Sequence, residues 1–139
     1  MIYLLDTNVI SDRIVGIKAV TERLFRAVAD DHTVYLPQPV VFEVQRGLLK
    51  VNATRKLKIF DEQIVPLLEP QQVEERDWRQ AAQMWADTRN AGRQLSDVDL
   101  LLAAMTLRLD AVLVSADNDF DALPIQRVDW RTPNDTQDR

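Results

Sequence analysis

The side chains best able to act in concert in this sequence are carboxylates. The chain has no cysteine and one histidine, His32, which follows Asp30 and Asp31 and reads as a surface-loop residue. Disulfides, thiolate metal sites and cysteine nucleophiles are therefore excluded, and a Ser-His-Asp triad has little to rest on. Three glycines in 139 residues leave no phosphate-cradling loop and no dinucleotide fingerprint. What remains is a set of acids: Asp6, Glu43, Asp97, Asp99, Asp117 and Asp119. Mg2+ and Mn2+ prefer carboxylate oxygen and water as ligands and need neither His nor Cys. Acids that converge repel one another unless a cation neutralises them, which raises their pKa values and couples ion affinity to pH. An ion held in this way activates water and offsets charge building on a phosphodiester. Such a set points to a metal-dependent nuclease.

Each acid also has a plainer reading. Asp6 follows the apolar run Ile2–Leu5, where a turn residue or helix cap is equally natural. Asp117 stands in the same relation to the run Ala111–Ser115, and the repeated placement favours a site over two coincidences. Glu43 lies on an amphipathic helix predicted over Val40–Val51, with Arg46 and Lys50 on the same side. A solvated ion pair explains that face; so does a metal-binding carboxylate flanked by cations that hold a phosphate backbone. Asp97 and Asp99 follow Ser96, and Ser96 with Asp99 matches a capping box at a helix start. Residues two apart do not share a helix face, so one of the two faces a site, and Asp99 is the choice. Asp97 stays open.

The elements that must position these acids alternate. Strands are expected at Ile2–Leu5, Thr33–Leu36, around Ile64–Leu67, at Ala111–Ser115 and at Ile125–Val128. Between them, helices are expected at Thr21–Ala29, Val40–Val51, Gln71–Asn90 and Ser96–Leu109, with Asp-Thr-Asn after the first strand read as a polar turn. Near-continuous apolar strands alternating with helices imply a mostly parallel sheet of four to five strands covered on both faces. Ligands in such sheets gather beyond the carboxyl ends of the strands, where Asp6 and Asp117 fall. The length suits one domain over residues 1–131, followed by a polar tail from Thr132 expected to be disordered. The start has no basic n-region and the longest apolar stretch, Leu100–Met105, is far too short to cross a membrane, which points to a cytoplasmic protein. A net charge of −5 rules out binding nucleic acid by bulk charge. Yet Arg46, Lys50, Arg55, Lys56 and Lys58 follow one another with no acid between them, and this local strip is the candidate RNA contact.

Four segments together resemble the PIN-domain family, most closely its VapC-type toxins. They are Leu-Leu-Asp-Thr-Asn-Val-Ile-Ser, Val-Val-Phe-Glu-Val-Gln-Arg-Gly, Ser-Asp-Val-Asp-Leu-Leu-Leu-Ala-Ala-Met and Leu-Val-Ser-Ala-Asp-Asn-Asp-Phe. The resemblance implies a three-layer α/β/α sandwich and a Mg2+- or Mn2+-dependent endoribonuclease leaving 5′-phosphate and 3′-hydroxyl ends. It also implies a homodimer held in check by a cognate VapB-type antitoxin in a type II toxin–antitoxin system. Carried over residue by residue, Asp6, Glu43 and Asp99 match the family's most regular acids. Asp117 matches the variable fourth, with Asp119 as its alternative. Thr7 and Asn8 then support Asp6, with Ser115 as a helper. A haloacid-dehalogenase-like phosphatase would want an Asp where Asn8 stands, and a receiver domain would want a Lys that the segment Ser115–Phe120 lacks. A PIN-like scaffold used only to bind protein is the remaining alternative, and four retained acids speak against it.

Overall fold

The computed structural model describes residues 1–132; most of the polar tail, 133–139, lies outside the described residues. Strand β1 (Ile2–Leu5) leads straight into helix α1 (Thr7–Val15), then α2 (Lys18–Ala29), β2 (Thr33–Pro37), α3 (Gln38–Lys50) and α4 (Thr54–Ile59). A π turn (Phe60–Ile64) and a 3-10 turn (Val65–Leu67) precede β3 (Glu69–Gln71). Helices α5 (Glu75–Asn90) and α6 (Asp97–Arg108), strand β4 (Val112–Val114), a 3-10 turn (Asn118–Ala122) and β5 (Gln126–Val128) complete the order. All five strands are parallel, in the order β3-β2-β1-β4-β5, and the helices cover both faces to give an α/β/α sandwich.

The order of the strands reverses at β1. The chain first builds outward from β1 through β2 to β3, then returns to place β4 on the other side of β1. A crevice opens at that reversal, beyond the carboxyl ends of β1 and β4. The register pairs Leu5 with Val114, and the Asp6 amide donates to the Val114 carbonyl at 3.0 Å, so Asp6 and Ser115 come level. Leu4, Leu5, Leu113 and Val114 are fully buried beneath them. Helix α6 is buried without interruption from Leu100 to Thr106, as a helix apolar all round must be. Among the described residues, no helix is long and apolar enough to cross a membrane.

Two local expectations are corrected. The segment after Asp6 is the first turn of α1 rather than a loop, because Asp6 caps the helix and Gly16, at φ 82°, closes it. Strand β2 ends at Pro37, and Pro39 sits in the first turn of α3, where its missing N–H costs nothing. The third strand is Glu69–Gln71, not Ile64–Leu67. Phe60 and Ile64 are both fully buried and four apart, a helical spacing that winds this stretch toward the core. Pro70 then fits β3 because that strand is an edge.

Candidate active site

Asp6 is buried, with both oxygens engaged. Oδ1 accepts from the Thr7 amide at 2.7 Å; Oδ2 accepts from Ser115 Oγ at 2.7 Å and from Asn8 Nδ2 at 3.1 Å. Ser115, fully buried at the end of β4, is the node of this network. Its hydroxyl donates to Asp6 and accepts from the Asp117 amide at 3.0 Å and from Asn8 Nδ2 at 3.2 Å. Asn8 Oδ1 in turn accepts from the Ala116 amide at 3.2 Å. The start of α1 and the loop after β4 are thus tied across the crevice, 109 residues apart in sequence. Thr7 reaches Asp6 through its backbone amide, and Asn8 and Ser115 reach it through their side chains. Asp117 accepts from the Asp119 amide at 2.9 Å and caps the turn Asn118–Ala122. Asp117 is half-buried and Asp119 is exposed.

Asp99 combines two functions at the N-terminus of α6. Ser96 Oγ accepts from the Asp99 amide at 3.1 Å, and the Asp99 carboxylate accepts from the Ser96 amide at 3.3 Å, which completes the capping box. The same carboxylate feels Asp117 and Glu43. Burial is the largest influence on Asp99 and raises its pKa; the Ser96 bonds oppose it, and Asp117 and Glu43 add to it. Burial likewise lifts Asp6 to about 6, against the Ser115 and Thr7 hydrogen bonds and with repulsion from Asp99 and Glu43. Glu43 sits 3.4 Å from Arg46, whose guanidinium also lies 5.1 Å from the exposed Phe42 ring. The crevice therefore gathers Asp6, Glu43, Asp99 and Asp117 within electrostatic reach. Asp97 is exposed and points elsewhere, lining a shallow groove with Trp78 and Trp85 between α5 and α6.

Among the described residues, no three carboxylate or imidazole groups are drawn tightly enough together to grip an ion as they stand. The repulsion among these acids is what a bound cation would relieve. The donor set is oxygen throughout, which fits a hard divalent cation. Of the basic candidates, Lys50 ends α3 and Arg55, Lys56 and Lys58 are exposed on α4, which packs against α3. Lys56 faces the same hollow as Glu43.

Arg127 was not legible as a site residue. It grips Asp121 with two bonds of 2.9 Å and donates from Nη1 to the Ser115 carbonyl at 3.0 Å. Asp121 is held below the usual carboxylate range by that guanidinium. A single Arg in a short terminal strand carries no pattern that would reveal such a contact.

The sequence profile of the PIN domain matches residues 3–126. The chain belongs to the PIN-domain family. Comparison with curated proteins gave no match. Solved PIN-domain structures share the fold over nearly the whole chain. DNA-bound VapBC from Salmonella typhimurium is 19% identical with a TM-score of 0.82, covering 94% of this chain and 98% of that one. VapBC2 from Rickettsia felis, bound to a promoter DNA fragment, is 23% identical with a TM-score of 0.79 over 94% and 99%. VapC20 from Mycobacterium tuberculosis, a toxin that cleaves the sarcin–ricin loop, is 16% identical with a TM-score of 0.69 over 91% and 98%. This PIN domain thus resembles the VapC toxins of VapBC systems in fold, and the phosphatase and receiver readings fall away.

Proposed function

We propose that this PIN domain is the toxin of a type II toxin–antitoxin pair and acts as a Mg2+- or Mn2+-dependent endoribonuclease. The observation that carries the reading is the gathering of Asp6, Glu43, Asp99 and Asp117 at the carboxyl ends of β1 and β4. Those four side chains would hold the ion, with Asp119 as the alternative to Asp117. The bound ion supplies an activated water and neutralises charge on the phosphate. The chain's own residues do the rest. Ser115 and Asn8 fix the carboxylate plane of Asp6, and the Asp117 amide ties the second strand end to the same hydroxyl. The strip from Arg46 and Lys50 to Arg55, Lys56 and Lys58 gives the RNA backbone its only continuous run of positive charge.

The solved neighbours include VapBC complexes, which supports a cognate VapB-type antitoxin as partner. Inhibition would follow from a basic antitoxin side chain entering among the carboxylates and displacing the ion; a complex with no cation there would refute this. A homodimer is proposed from the same family likeness, and light scattering on the purified chain checks it.

The test of the enzyme reading is cleavage of a total RNA pool with Mg2+ or Mn2+. Cleavage is expected to stop in EDTA and in Asp6→Asn. Activity that survives both would falsify the metal mechanism. If clean protein cuts no RNA with either ion, the scaffold serves to bind protein instead.

A further inference from the structure

Helix α3 carries a glycine in its interior, and nothing within the fold requires it. A Cβ at Gly47 would meet no atom within 4 Å, so it faces open space. Alanine would hold the helix better at no steric cost. That open space is a hollow of about 230 Å3 enclosed by α1, α3 and α4, beside the crevice that holds Asp6. Ile14, Val44 and Leu48 line it with apolar surface, and Ser11, Glu43 and Lys56 line it with polar groups. The Thr7 hydroxyl is buried and has no hydrogen-bond partner among the described residues. Lys56 likewise makes no ion pair among the described residues.

Building on the ribonuclease reading, we propose that this hollow seats the base of a nucleotide adjoining the cut phosphodiester. Three observations fix the occupant. Drug-sized ligands fill roughly 300–1,000 Å3, so this smaller space takes a single flat group. An apolar lining with a hydroxyl and a carboxylate beside it is how an unstacked base is held: its face against aliphatic side chains, its edge read by hydrogen bonds. The basic strip that leads to Lys56, in a chain of net charge −5, suits a polyanion passing the rim.

The experiment crosses a pocket-filling substitution with removal of single bases. Wild type, Gly47→Ala and Gly47→Leu are assayed with Mn2+ on a short RNA and on versions with an abasic site at each position in turn. For wild type, loss of one base next to the cut should lower kcat/KM roughly ten- to a hundredfold. Gly47→Leu should cut the intact RNA at the abasic rate and show no further loss, with Gly47→Ala between. A melting temperature for Gly47→Ala at or above wild type establishes that the fold is kept. If the abasic penalty is the same in all three proteins at every position, the pocket is not a base site. Unchanged RNA cleavage by Gly47→Leu with lost binding of a protein partner assigns the hollow to a peptide and overturns the proposal. If wild type does not cut at all, the same grid is read as binding in EDTA by fluorescence anisotropy. Coupling between Gly47 and one base then upholds the pocket while the cleavage reading fails, and its absence overturns the pocket.

Discussion

Burial of Asp6 leaves its carboxyl titrating near 6 even though hydrogen bonds reach both oxygens. An unfolded Asp titrates near 3.9, so between about pH 4 and 6 the folded chain binds the extra proton. Raising pH through that window therefore erodes stability, by up to about 3 kcal/mol for this one group. Asp6→Asn, which never ionises, should melt roughly 5 °C above wild type at pH 7.5 in EDTA. The gap should close near pH 4, where wild-type Asp6 is protonated in both states, and calorimetry across pH reads this directly. Mn2+ should raise the wild-type melting temperature and leave Asp6→Asn unmoved, since only a folded-state ligand stabilises by binding. Ser115→Ala removes the donor to Asp6 and the acceptor for the Asp117 amide together. Mn2+ affinity, measured by titration calorimetry, should fall roughly 10- to 100-fold.

Among the elements, β1 and the start of α6 were the most legible, while α1, which follows Asp6, was not. Ile2–Leu5 is bounded as expected, because a short apolar run ending in a capping acid allows little else. The Ser96 capping box is present at the start of α6, where two side chains three apart encode it locally. The third strand was misplaced because Ile64–Leu67 is apolar enough for a strand, while its helical partner Phe60 is visible only through burial. Arg127 shows the same limit at the site, since its contact to Ser115 exists only after β5 pairs with β4. Arg127→Gln keeps the strand but gives up both the Asp121 fork and a cation near Asp117. A loss of about tenfold in Mn2+ affinity is expected, in line with outer contacts of metal ligands. Arg127→Lys, which keeps the charge, should recover part of it. Equal loss in both would show that fork geometry, not charge, matters.

Taken whole, the molecule is an acidic body with one basic strip, and under the proposed function that asymmetry would set how it meets RNA. Phosphate contacts release counterions with a slope of about −0.7 per contact for single strands in log K against log salt. Replacing Arg55, Lys56 and Lys58 with Gln should flatten the slope for RNA binding by up to about 2, leaving a weaker, less salt-sensitive interaction. An unchanged slope would move the RNA path off α4. The sequence carried the parallel sandwich because alternation of strand and helix repeats along its whole length. The strand reversal at β1 was not readable, since no local pattern reports which strands are neighbours.

That reversal has a consequence for the birth of the protein. Asp6 emerges from the ribosome 109 residues before its partner hydroxyl at Ser115. Until β4 slots in beside β1, Asp6 lacks the Ser115 bond and Asp117 is not in place. On the proposed ribonuclease reading, that delay is a safety catch. On that reading, the site cannot be assembled before Ser115 has been translated and β4 has docked beside β1.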